Sequence, residues 1–184
     1  MKIRKLVGFV LMMAVSWVIL EITGASPANF LVVRDFAATA NVTLVPFADI
    51  LDLVNGGSLS GMLLNIGGNI ALFMPLGFML PMVWTGFRRL PRTAAFGACV
   101  SLFIEVSQLF NYRATVTDDL LLNTCGAVLG YLCAAAVLRV LPKLSPDDYT
   151  ERRCVLPAAL AVLLPYLVQT VQESIFFLTY SQNI

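Results

Sequence analysis

The sequence contains no histidine. That removes the commonest general base and the commonest transition-metal ligand, and it makes a Ser-His-Asp arrangement impossible. Charge is scarce too. Asp, Glu, Lys and Arg make up 12% of the chain, against about 25% in a soluble domain. The net charge of +1 offers no electrostatic footprint for nucleic acid. No CxxC pair occurs. The cysteines at 99, 125, 133 and 154 stand alone in or near apolar runs, so they read as small hydrophobes and not as a disulfide framework or a metal site. Gly-rich phosphate loops, metal-ligand spacings and internal repeats are also missing. No cofactor is expected.

What the chain has is apolar surface: 59% of its 184 residues are hydrophobic. A single soluble core of this length cannot hide so much. The expected class is an all-α integral membrane protein, one domain over residues 1–184 built as a five-span bundle. Five runs reach the roughly 17–25 residues a spanning helix needs: Leu6–Ile22, Asn69–Thr85, Thr93–Phe110, Asp119–Leu141 and Val155–Tyr180. Pro75 and Pro81 are expected to bend the second span, and Pro157 and Pro165 to tilt or kink the fifth. Between spans one and two, "NVTLVPFADILDLVNGG" sets Val45, Ile50, Leu51 and Val54 around Asp49 and Asp52. That spacing predicts a short amphipathic helix lying at the interface. The "GGSLSG" and "GG" clusters after it read as breaks before span two. The opening "MKIRK", an apolar run and "SPA" at 26–28 also fit a cleavable signal peptide, although the run is long and Glu21 is an odd neighbour for a cleavage site.

Cation placement sets the expected orientation. Lys2, Arg4 and Lys5 precede span one; Arg88, Arg89 and Arg92 follow span two; Arg139, Lys143, Arg152 and Arg153 follow span four. Those ten fall on one side, leaving only Arg34 and Arg113 on the other. The positive-inside rule puts the N-terminus in the cytoplasm and the C-terminus outside. With that orientation, the rise of 1.5 Å per residue places Glu105 roughly 8 Å below the outer end of span three. Asn123 comes at a similar depth on span four, below Asp118 and Asp119. Asn65 and Asn69 come at the outer surface, Glu21 at the outer boundary, and Gln169, Gln172 and Glu173 in the outer half of span five. The inner halves carry almost no polar groups. Buried charge in a membrane costs roughly 2.5–3.5 kcal/mol on insertion scales, and such groups face the bundle interior or a wet cavity. One polar pocket opening toward the outer leaflet is therefore expected.

Helical phase points the same way. Ser101, Glu105, Gln108 and Tyr112 share one face, and Asp119, Asn123, Gly126 and Gly130 share another. The lower half of the second stripe is a small-xxx-small surface that lets another helix come close.

Three blocks carry a family resemblance: "NIALFMPLGFMLP" at 69–81, "SLFIEVSQ" at 101–108 and "RATVTDDLLLNTCGAVLGY" at 113–131. Together with "VTLVPF" at 42–47 they resemble the VanZ-like family, most strongly over residues 40–135. The resemblance implies a small multi-pass protein of the bacterial plasma membrane. The family's namesake is linked to low-level resistance to the glycopeptide teicoplanin, and no reaction is established for the family. Its polar motif carries over as Asn69, Glu105, Gln108, Arg113, Asp119, Asn123, Gly126 and Gly130. One departure stands out: many members have an acidic residue three positions after the arginine, where this chain has Val116.

The candidate ligand-binding residues are Asn69, Glu105, Gln108, Arg113, Asp118, Asp119 and Asn123. Glu105 is a ligand carboxylate or acid–base group, or else a structural partner of Arg113. Arg113 clamps an anion, or neutralises Glu105 or Asp119. Asp118 and Asp119 suit the first turn of a helix, with Thr117 as its cap, which explains one aspartate better than two. Asn69 and Asn123 serve the pocket or act as glue between helices, and Gly126 and Gly130 pack. Ser101 has no evident activating base.

Two functions follow. In the first, the protein binds or protects a membrane lipid, a lipid-linked envelope precursor or an amphiphilic glycopeptide antibiotic at the outer leaflet. In the second, it is an intramembrane enzyme acting on a lipid or cell-wall precursor, with Glu105 and Asp119 as a carboxylate pair and Arg113 stabilising an anion. An ion-coupled carrier ranks last, because it needs polar groups near the midplane and on the inner side.

Overall fold

The computed structural model describes residues 2–25, 42–43, 59–108, 115–144 and 154–181. Five long helices dominate it: α1 (Lys2–Thr23), α2 (Gly68–Val83), α3 (Leu90–Gln108), α4 (Thr117–Val140) and α5 (Val155–Ser181). All five are long and apolar enough to cross a membrane, the second when taken from Leu63 to Val83. Many of their large side chains face outward; Leu6, Leu102, Leu132 and Phe176 are all exposed. Water would penalise such a surface, whereas lipid does not. The expected all-α, five-span architecture is thus the observed one. The interfacial helix expected around residues 45–54 lies outside the described residues.

From Leu59 on, the described part of the glycine-rich stretch before span two differs from expectation. Leu59–Met62 is already α-helical, Leu63–Gly67 is a π-helical turn, and α2 continues from Gly68. Gly67 itself sits at φ −66° and ψ −36°, an ordinary helical conformation. The Gly67–Gly68 pair therefore widens the helix by a π turn where a break was expected. Glycine lowers helix propensity but does not forbid the helix. Pro75 and Pro81 lie inside α2 and Pro165 inside α5; each withholds one backbone donor from its helix.

The most intimate pairing is α2 against α4. A Cβ on Gly126 would run into the carbonyl oxygen of Ile70, and one on Gly130 into that of Met74. The fit is reciprocal, because a Cβ on Gly77 would strike the carbonyl of Ala127. The small-residue stripe seen on span four thus has its partner on span two, in the close-approach manner of membrane helices. Helix α3 packs on this pair, and α1 packs on α2 and α5. Met12, Ile19, Phe73, Leu76, Leu80 and Ile104 are buried together in the resulting core. Tyr166 of α5 reaches across to α3, sharing a hydrogen bond with Ser107 at 2.9 Å and an edge-on contact with Phe103.

One feature had no sequence signal. Val42–Thr43 pairs in parallel with Thr115–Val116 as a two-residue bridge. It joins the segment after α1 to the residues directly before α4.

Candidate functional site

The site is built where four helix ends meet. Helix α1 ends at Thr23 because Gly24 takes φ 63°, the left-handed conformation that glycine adopts without a Cβ penalty. The Ala25 N–H then bonds back to the Leu20 carbonyl and the Gly24 N–H to that of Glu21, the Schellman termination. This closure leaves the Thr23 carbonyl to be satisfied from elsewhere. Gln108, on the last turn of α3, supplies the donor: its Nε2 reaches the Thr23 oxygen at 2.8 Å. Opposite, Asn69 in the first turn of α2 donates through Nδ2 to Asp119 Oδ1 at 2.5 Å. Asn123, one turn below Asp119 on α4, donates to Ser101 Oγ of α3 at 2.9 Å.

These residues enclose a cavity of about 330 Å³. Its polar lining comes from Thr23, Asn69, Glu105, Gln108, Asp119 and Asn123. Glu105 is only 5% exposed and Asn123 only 3%. Glu105 and Asp119 therefore both line one chamber. The amide oxygen of Asn123 is buried and has no hydrogen-bond partner among the described residues. An unsatisfied buried acceptor costs roughly 1–3 kcal/mol. Asn123 is itself a lining residue of the cavity, so this acceptor lies close to whatever fills it.

The cavity draws Ile22 and Thr23 from the end of α1, Asn69 from the start of α2, Glu105 and Gln108 from the end of α3, and Asp119 and Asn123 from the start of α4. All sit at one end of the bundle. The loop cations Arg88, Arg89 and Arg92, and Arg139 and Lys143 after them, belong to the opposite end.

A family model described as VanZ/LLP1 matches residues 6–139. The chain belongs to the VanZ/LLP1 family. The match covers α1 through nearly all of α4, so every wall of the cavity lies within the VanZ/LLP1 region and α5 lies beyond it. With five spanning helices, this VanZ/LLP1 chain is a multi-pass membrane protein. No curated protein and no solved structure matches it.

The structure brings together five of the seven residues expected to bind ligand in this VanZ/LLP1 chain: Asn69, Glu105, Gln108, Asp119 and Asn123. Asp118 is 2% exposed, and its side chain is not among the cavity's lining residues. Arg113 lies outside the described residues. Gln169 does not join the cavity; its Nε2 bonds the Trp17 carbonyl at 3.0 Å and Glu21 Oε2 at 3.2 Å. Gln172 and Glu173 are exposed. Sequence reasoning missed two contributors. Thr23 enters through its backbone carbonyl, and the signal was available: a helix ending near residue 22 must leave carbonyls in need of donors. Ser101 was placed on the right face, but its role is to accept from Asn123, which needs no activating base.

Proposed function

We propose that this VanZ/LLP1 protein binds a membrane lipid, a lipid-linked envelope precursor or an amphiphilic glycopeptide antibiotic at the outer leaflet of the bacterial plasma membrane. Binding there would protect the cell against glycopeptides such as teicoplanin. The observation that supports the reading is a chamber lined by Glu105, Asp119 and Asn123, the last with a buried amide oxygen that has no partner among the described residues. The orientation belongs to the proposal: cytoplasmic N-terminus, external C-terminus, with the cavity end outward. The distribution of lysine and arginine supports it.

The test is complementation. A deletion strain carrying the wild-type chain is expected to regain tolerance of teicoplanin, whereas Asn123→Ala or Glu105→Gln, expressed equally in the membrane, is expected to fail. Full protection by both variants would sink the reading.

A second reading is kept because Glu105 and Asp119 share the chamber. In such an enzyme one of the two carboxyl groups would serve as general acid and the other as general base. An intramembrane enzyme of this kind would change its lipid or cell-wall precursor. Mass spectrometry of total lipids from wild-type and Asp119→Asn cells would then differ by a product, while a binder would leave only a difference in retained ligand.

A further inference from the structure

The polar cavity has a larger apolar neighbour. A groove of about 790 Å³ runs between α1 and α2. Val15, Val18 and Ile22 form one wall, and Ala71, Leu72 and Pro75 the other. The room arises because Ala14, Gly68 and Ala71, all on its lining, are small. Leu11, Val18 and Ile22 are at least half exposed, so the groove is open along its flank to the surrounding membrane. From Leu11 to Ile22 it follows α1 for about 17 Å.

Groove and cavity meet. Ile22, Asn69 and Leu72 line both. An apolar slot thus borders a chamber whose lining residues include carboxylates and amides. Adjacent surfaces of opposite chemistry fit one molecule that has both. Within the chamber, the amides of Asn69, Gln108 and Asn123 already give an N–H to Asp119, Thr23 and Ser101. Among the described residues, the amide oxygen of Asn123 has no partner. Among the described lining residues there is no lysine or arginine. Carboxylate and amide oxygens recognise hydrogen-bond donors.

We infer that a single amphiphile occupies both spaces, with a hydrocarbon chain in the groove and a donor-bearing head, hydroxyl or amine, in the cavity. This rests on the binding reading above and supplies its ligand class. The chain enters sideways from the bilayer, and Asn69 marks the boundary between its apolar and polar parts.

The experiment uses the full chain in phosphatidylcholine nanodiscs. Three probes carry the same diazirine-labelled acyl chains on different heads: a sugar, a phosphoethanolamine and a bare phosphate. Light-induced labelling by the sugar or the ethanolamine probe is expected to map to residues 11–22 and 64–79 and to exceed that of the phosphate probe roughly tenfold. The stronger of those two labels identifies the head. Ala14→Trp and Ala71→Trp, which fill the groove from exposed positions, are expected to cut labelling by a similar factor. Leu132→Trp, on an exposed flank of α4, is expected to leave it unchanged and shows that a bulky surface side chain is tolerated. Equal labelling by all three probes, or labels scattered around the whole bundle, overturns the inference. If the two tryptophans change nothing while Asn123→Ala removes the head preference, the shared occupancy is wrong and the cavity reading stands. If Asn123→Ala also changes nothing, both fall.

Discussion

At the scale of single residues, the site is a set of long-range satisfactions of local needs. Asn123 holds Ser101 with its N–H, while its oxygen has no partner among the described residues. Ser101→Ala removes an acceptor that nothing else replaces. It is expected to lower stability in detergent by about 1 kcal/mol, the usual weight of an interhelical polar contact in membranes, read as a small drop in Tm. Gly24→Ala forces a Cβ into the left-handed region and is expected to cost about 1 kcal/mol by the same measurement. It should also weaken ligand binding, since the Thr23 carbonyl that Gln108 holds would shift. Much of this was legible before any coordinates. Spacings of four and three put Ser101, Glu105 and Gln108 on one face, and all three are buried. The partners were not legible. Asn69 meets Asp119 across 50 positions and Gln108 meets Thr23 across 85, and no local pattern encodes such distances.

Among elements, the α2–α4 seam decides whether the cavity exists, because it fixes Asn69 opposite Asp119. Gly130→Ala would press a methyl group onto the Met74 carbonyl, and backbone cannot yield as a side chain can. Overpacking of this kind costs typically 1–3 kcal/mol, so a clear loss of Tm and of folded yield is expected. Gly67→Ala and Gly68→Ala make the converse prediction. A Cβ at either meets nothing within 4 Å, so alanine should stabilise by roughly 0.4–1 kcal/mol through its greater helix propensity. Lower Tm in these two variants would mean that the π turn needs glycine for its shape. The spans themselves were readable, since run length and hydropathy suffice to find membrane helices. The π turn was not. Glycine pairs more often interrupt helices than widen them, and only the surrounding packing chooses between the two.

For the molecule as a whole, asymmetry is the governing property. Polar side chains gather at one end of the helices and basic loops at the other. The proposed orientation predicts that alkaline phosphatase fused to the C-terminus is active, and that green fluorescent protein fused there stays dark. The reverse pattern would turn the cavity toward the cytoplasm. Residue placement along the runs anticipated that polar side chains and basic loops lie at opposite ends, but the neighbour relations among helices had no trace in it. That α1 lies against both α2 and α5 follows from shape alone. The fifth helix adds a last consequence. It buries Ala158, Ala161 and Val162 in the common core, yet supplies no wall of the chamber and lies past the matched region. Val171, Ile175 and Phe176 on its outward side are exposed, so α5 acts as a buttress: it shores up the bundle from behind and turns a greasy flank to the lipid.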